Sequence, residues 1–391
     1  MEARVTQARI STRRRSPERR VELAAAAAEL FFRRGYHRVS VADVAAAVGV
    51  TAPAVYRHHA GKQALLAAAV HSGLDVAEAA LEEGGDLDRV LENLAGAALE
   101  RRDVWVLLSR ELRFLAPESR DEVQRRVDGV AHVLDEAVVA ERPAAPAGDR
   151  RLLVTAALAV LSAPSLWQAQ LPRAEYRREL ARVAAAVCRA ELSQQVPEAP
   201  ARPARRRARH RGEELLEVAI ELFHERSYDA VSLDDIGAVV GIAGPSIYHH
   251  FPTKADILVA AFSRATESLS RSGSAPAPVD ARSVLAERVA DYTALGIDQR
   301  ALFGVYVSEA IHLPPEAGRR INAALRADFE DWVSALRACT PALDADQCTL
   351  RVGAARSIVN DLVRLGRFHA RPAISAEIRQ LALVAMSSPA G

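Results

Sequence analysis

Residues 21–70 of this 391-residue chain repeat as residues 213–262, at a constant offset of 192 and without a gap. Glu29-Leu30-Phe31 falls on Glu221-Leu222-Phe223, Tyr36 on Tyr228, Ser40 on Ser232 and Asp43 on Asp235. Val48-Gly49 falls on Val240-Gly241, Pro53 on Pro245, Tyr56 on Tyr248, His58 on His250 and Lys62 on Lys254. The matches include Tyr, Phe, Pro, Gly, Lys and Asp, so trivial alignment of alanine-rich helices does not explain them. Any fold must therefore hold two copies of one unit.

Length supports the same division, because single cores rarely grow beyond about 250–300 residues. The net charge of +1 announces no polyanionic partner by itself, but the charge is unevenly spread. Arg4, Arg9, Arg13, Arg14, Arg15, Arg19 and Arg20 crowd the first twenty residues, and Arg202, Arg205, Arg206, Arg207, Arg209 and Arg211 crowd a Pro-rich stretch between the copies. Local basic arms are what a phosphate-binding element needs, although a solubilising tail and linker would look alike. Cys188, Cys339 and Cys348 are isolated, which argues against a disulfide framework and against zinc. No apolar run is long enough to span a membrane and no secretory signal opens the chain, so a cytoplasmic protein is expected.

The first copy reads as three helices. Leu23, Ala27, Leu30 and Phe31 have helical spacing from Glu18 to Arg34, and Gly35 supplies a helix stop. Ser40 and Asp43 form a capping-box pair, Val44, Ala45 and Val48 give a buried face, and Gly49 turns the chain. Thr51 is placed to cap the third helix, with Pro53 in its first turn. The second copy repeats this with Ser232, Asp235, Ile236, Val240, Gly241 and Pro245, while Ala243 stands where Thr51 does. Two short helices around a glycine turn, braced by a longer one, make a helix-turn-helix. After each copy, helical periodicity without strand alternation covers 87–99, 104–115, 118–139, 150–168 and 175–192, then 279–295, 300–312, 316–336, 345–368 and 375–386. The fold class expected is all-α throughout.

The third helices suggest what the repeat does. Ala52, Pro53 and Ala54, or Gly244, Pro245 and Ser246, are small enough to approach base edges closely. Arg57 could chelate a guanine at O6 and N7, and His249 is its counterpart. Tyr56 and Tyr248 carry hydroxyls suited to phosphate, as do the ammonium groups of Lys62 and Lys254 and the helix starts at Ser40, Thr51 and Ser232. His58 and His250 complete the candidate set. Each residue alone reads equally as packing or a solvated face; the joint arrangement, present twice, favours duplex DNA. The pairs His58-His59 and His249-His250 invite a metal reading, but adjacent helical residues do not share a face. No phosphate loop, nucleophile elbow or paired catalytic carboxylates appear, so neither an enzyme nor a cofactor is expected.

The stretches LFFRRGYHRVSVADVAAAVGVTAPAVYRHHAGKQALL and LFHERSYDAVSLDDIGAVVGIAGPSIYHHFPTKADIL resemble the TetR family of bacterial transcriptional repressors. The second is closer, ending Tyr-x-His-Phe and then Lys; the first has His59 for the aromatic and Ala60-Gly61 before Lys62. The resemblance implies two tandem units, each a helix-turn-helix domain followed by a helical ligand-binding and dimerisation domain. On that reading 1–16 is a basic arm and 17–72 the first helix-turn-helix domain. Residues 73–196 form the first regulatory domain, 197–211 the linker, 212–264 the second helix-turn-helix domain and 265–391 the second regulatory domain. The resemblance also implies a repressor released by a small molecule, with Trp105, Phe114, Trp167, Tyr306, His312 and Asn360 as pocket candidates or ordinary core. Helices near 150–192 and 345–386 would form a four-helix interface. The halves then pair within the chain as a pseudo-dimer or between chains as a homodimer, on an operator that is an imperfect palindrome. Alternatively one half has lost DNA binding and serves only sensing or dimerisation.

Overall fold

The computed structural model describes residues 2–192, 211–242, 244–272, 280–365 and 368–388, and every regular element among them is a helix. The chain forms two compact units, 1–141 and 142–391. The first contains α1 (Glu2–Arg34), α2 (Val41–Ala47), α3 (Ala52–Tyr56), α4 (Lys62–Ala79), α5 (Leu87–Glu100), α6 (Arg102–Arg110) and α7 (Pro117–Glu141). The second contains α8 (Ala147–Ser162), α9 (Arg173–Cys188), α10 (Arg211–Arg226), α11 (Leu233–Val240), α12 (Gly244–His250) and α13 (Lys254–Ser272). It continues with α14 (Ala281–Asp298), α15 (Arg300–Glu309), α16 (Pro315–Cys339), α17 (Ala345–Arg364) and α18 (Ile374–Ser387). Of the linker expected at 197–211, all but Arg211 lies outside the described residues, as does Ala243.

The apolar periodicity located these helices closely; the differences have local causes. The first helix starts at Glu2 rather than Glu18, so the stretch expected as a basic arm has helical backbone. The helix expected over 150–168 ends at Ser162 and passes into a 3-10 turn, where Pro164 has no N–H to continue the ladder.

In the first unit α1 to α4 share a core of Leu23, Ala27, Phe31, Val44, Val55, Leu65 and Leu66, joined by Leu107, Leu115 and Val123 from the helices beyond. In the second unit α10 to α13 repeat it with Leu215, Ala219, Phe223, Ile236, Ile247, Ile257 and Leu258, joined by Leu302, Val305 and Ile321. The second unit also contains α8, α9, α17 and α18, packed against one another as a four-helix layer. Leu153, Ala156, Ala157 and Val160 on α8 are buried, as are Ala354, Ala355, Ile358 and Val359 on α17, and alanines at such a seam let backbones approach closely. The helices of the first and second halves thus pack together within one chain. Polar links join them: Arg351 Nε donates to Glu179 Oε1 at 2.7 Å, and Arg371 Nη2 donates to Asp149 Oδ1 at 2.7 Å and to Glu377.

Candidate nucleic-acid interface

The short helices α2 and α11 start on matching caps. Ser40 Oγ accepts from Asp43 N at 3.1 Å while Asp43 Oδ2 accepts from Ser40 N at 2.7 Å; Ser232 and Asp235 do the same at 3.1 and 2.8 Å. The serine hydroxyls also donate to these carboxylates, and with the backbone bonds they hold both carboxyls below the usual aspartate range. The turns that follow need a left-handed residue, and Gly49 (φ 69°) and Gly241 (φ 74°) provide it. Val50 N then returns to Ala45 O, and Ile242 N to Gly237 O, both at 2.9 Å. In the second copy a Cβ on Gly237 would lie 3.2 Å from the Ile242 carbonyl, a tight contact at the place where the first copy has Ala45.

The third helices α3 and α12 are fixed from beneath by Val55 and Ile247, both fully buried. Beside these, Tyr56 and Tyr248 stand 56 % and 52 % exposed. The two copies thus leave an equivalent large aromatic exposed on the same helix. Thr51, Pro53, Tyr56 and Arg57 share that exposure, Ala52, Ala54 and His58 are partly covered, and Ser40 and Ser232 are exposed at the helix starts. Ser246, His249 and His250 are exposed in the second copy, where Gly244 and Pro245 open the helix. Thr51 occupies the N-cap position, but its side chain makes no capping bond.

Lys62 and Lys254 turn inward, a role the sequence analysis does not assign them. Lys254 Nζ donates to the carbonyls of Tyr228 and Val231 at 2.6 and 2.8 Å and lies 4.2 Å from the Tyr228 ring centroid. Lys62 Nζ lies 4.2 Å from the Tyr36 ring centroid and 3.4 Å from the His37 carbonyl. Both ammonium groups tie the fourth helix of their copy to the turn after its first helix, and burial lowers both pKa values. The co-repeating Tyr and Lys carried this signal.

The copies differ at their closing positions. His59 is buried with Nε2 3.3 Å from the Arg20 carbonyl, and burial pushes its pKa below the ordinary histidine value. Phe251 packs against the core at the equivalent place. Thr253 and Asp256 cap α13 reciprocally, whereas Gly61 begins α4 without a side-chain bond. Gly35 has φ 78°, but its counterpart Ser227 adopts φ 75° with a side chain.

Each reader-like unit is joined to the helices beyond it by an aromatic stack. Phe114 lies on Tyr36 at 5.1 Å, and His312 on Tyr228 at 4.6 Å. Arg110 Nη2 donates to the carbonyls of Phe31 and Phe32, and Tyr36 N donates to Glu111. Phe114 and His312 therefore sit at joints. Trp105 is partly buried on α6. In the second unit Trp167 lies 5.8 Å from the Arg356 guanidinium, Asn360 Oδ1 accepts from Tyr292, and Tyr306 packs edge-on to Phe262, where burial pushes its pKa up to about 12. None of the six lines the 520 Å³ open groove between α4 and α7, which is bordered by Glu78, Leu81, Glu122, Arg126 and Val130. Among the described residues no three His, Cys, Asp or Glu side chains could hold a metal ion together, and no helix is long and apolar enough to cross a membrane.

The family model described as bacterial regulatory proteins, tetR family, matches residues 23–69 and 215–261, the two helix-turn-helix copies. No curated protein matches the chain. Among solved structures, the TetR-family transcriptional regulator PfmR from Thermus thermophilus is similar at 22 % identity, over 45 % of this chain and 96 % of that one, with a TM-score of 0.40. The ketosteroid transcriptional regulator KstR2 of Mycobacterium tuberculosis is similar at 23 % identity, over 45 % and 94 %, with a TM-score of 0.40. A TetR-family regulator from Bordetella parapertussis is similar at 17 % identity, over 44 % and 93 %, with a TM-score of 0.41.

Proposed function

We propose that the chain, matched twice by the family model of bacterial regulatory proteins, tetR family, is a sequence-specific transcriptional regulator with two unlike DNA readers. The observation that carries this is the paired exposure of Tyr56 and Tyr248 over fully buried Val55 and Ile247. In this reading Arg57 in the first copy and His249 in the second face base edges, with Ala52, Pro53, Ala54, Gly244, Pro245 and Ser246 allowing close approach. Tyr56, Tyr248, Ser40, Thr51, Ser232, Lys62 and Lys254 bind phosphate, and His58 and His250 border the same face. The four-helix layer supports pairing of the halves within one cytoplasmic chain, so the operator has two unlike half-sites. Repression is relieved by a small molecule, for which the groove between α4 and α7 offers a place.

Selection of bound fragments from random duplex DNA with the purified full chain tests the reading. Two dissimilar half-sites are expected; no enrichment, or a perfect palindrome, overturns it. A second reading, in which the first copy no longer binds DNA, is favoured by uncapped α4 and buried His59. It predicts enrichment of a single half-site.

A further inference from the structure

Arg356, near the middle of α17, is 1 % exposed and bonds Asp328 on α16. Four aromatic rings surround its guanidinium: Tyr292 at 4.4 Å, Trp332 at 5.0 Å, Trp167 at 5.8 Å and Phe329 at 5.9 Å to their centroids. Three of these belong to the second half of the sequence. Trp167 comes from the first, just after α8.

The seat of Trp167 is specific in shape. Its ring stacks on Phe329 with centroids 4.3 Å apart and planes 3° from parallel. Its other constraint is Gly353 on α17, where a Cβ would come within 2.8 Å of Trp167 Cβ and 3.0 Å of its Cγ. Glycine weakens a helix interior, and here it leaves room for the incoming side chain. The indole N–H is buried without a hydrogen-bond partner among the described residues, as are Arg356 Nε and the hydroxyls of Ser357 and Thr293. Buried tryptophans usually place the N–H on an acceptor. Here the ring is placed by its faces and by the gap at Gly353, with no hydrogen bond from its N–H among the described residues.

We propose that Phe329, Gly353 and Arg356 form a binding site for a planar aromatic ring, and that the Trp167 indole is its resident ligand, delivered by the first half of the chain. A diffusible aromatic can enter only by displacing Trp167. The interior of the second helical body is thereby tied to the segment after α8, and the site goes beyond the DNA-binding reading because it requires no DNA.

Vacating the seat in the full chain tests this, with indole as probe. Trp167→Gly should lower the melting transition of the second unit by about 5 °C or more. Indole at about 1 mM should raise that transition by roughly 2 °C in Trp167→Gly and by under about 0.5 °C in the wild type. Adding Gly353→Leu to Trp167→Gly should abolish the response by filling the seat. The proposal is overturned if indole leaves folded Trp167→Gly unmoved, shifts the wild type equally, or still acts on the double variant. If Trp167→Gly does not fold, Gly353→Ala alone must push the ring out and shift tryptophan emission to the red; unchanged emission overturns the proposal. These readouts involve no DNA, so their failure is distinct from failure of the regulator reading.

Discussion

Replacing Arg351 with leucine removes the charge that links α17 to α9. Arg351 is 1 % exposed and Glu179 3 % exposed, with Nε 2.7 Å from Oε1. Arg351 Nη1 also reaches the carbonyls of Met386 and Ser388. Leucine should fit sterically: beyond the helix-turn-helix copies the halves align at an offset of 198, which places buried Leu153 opposite Arg351 in the comparison. What the substitution leaves behind is a buried carboxylate whose remaining cation, Arg182, is 36 % exposed. Removing one member of a buried pair costs about 3–5 kcal/mol. Arg182 retains part of the attraction, which sets the expectation at the lower end, about 3 kcal/mol.

For a body of this size about 1 kcal/mol moves the midpoint by roughly 2–4 °C, so the transition of the second unit should fall by about 6–12 °C. Scanning calorimetry of the full chain measures it, provided the two units' transitions are fitted separately. Glu179→Leu should cost a similar amount by stranding Arg351. The double leucine variant removes both charges and should recover about 2 kcal/mol or more of the summed loss. Strictly additive losses would show that the two side chains act independently, and the reasoning would fail.

Two further predictions concern the copies of the reader. Ser227→Gly should stabilise the second unit by about 0.5–1 kcal/mol, because φ 75° strains a residue with a side chain and its counterpart Gly35 holds φ 78° without strain. A lower melting midpoint for Ser227→Gly would contradict this. His59→Phe should remove an acid sensitivity from the first reader. Burial depresses the folded-state pKa of His59 below the ordinary value of 6.5, so the unfolded chain takes up the proton first as pH falls through that value. Stability is therefore lost from about pH 6.5 downward until the folded-state pKa is reached. Amide exchange of α1 to α4 should lose protection over that window in the wild type and hold steady in His59→Phe; a flat wild-type profile refutes it.

The helices were legible because apolar periodicity and Ser-x-x-Asp caps are local signals. The caps at Ser40 and Ser232 and the glycine turns formed as read, and Thr253–Asp256 carries the same pattern at a place where it was not sought. The inward role of Lys62 and Lys254 left one trace, the co-repeat of each Lys with Tyr36 or Tyr228, because the groups that accept from them are backbone carbonyls, which no residue type announces. Phe114 and His312 look like pocket residues by type, yet they stack on tyrosines 78 and 84 positions away in sequence. Buried arginines were least legible. Arg351 meets Glu179 across 172 residues, and nothing near either in sequence foretells the pair. Periodicity specifies which face is buried; it does not specify which charge will be buried there and matched.

That matching bears on why the two halves share a chain. In a symmetric pairing each patch meets its own copy, so every buried charge must be answered twice. A first half facing another first half would set Glu179 against Leu153, the counterpart of Arg351, and bury two carboxylates without that partner. A first half facing a second half answers buried Glu179 with Arg351, and the partly exposed Asp149 with Arg371, which also bonds Glu377. Arg182 alone would then face each buried Glu179 in a pairing of like halves, which weighs against the like-with-like arrangement. The charge matching thus supports the proposed pairing of unlike halves, which carry unlike third helices, Arg57 in one and His249 in the other.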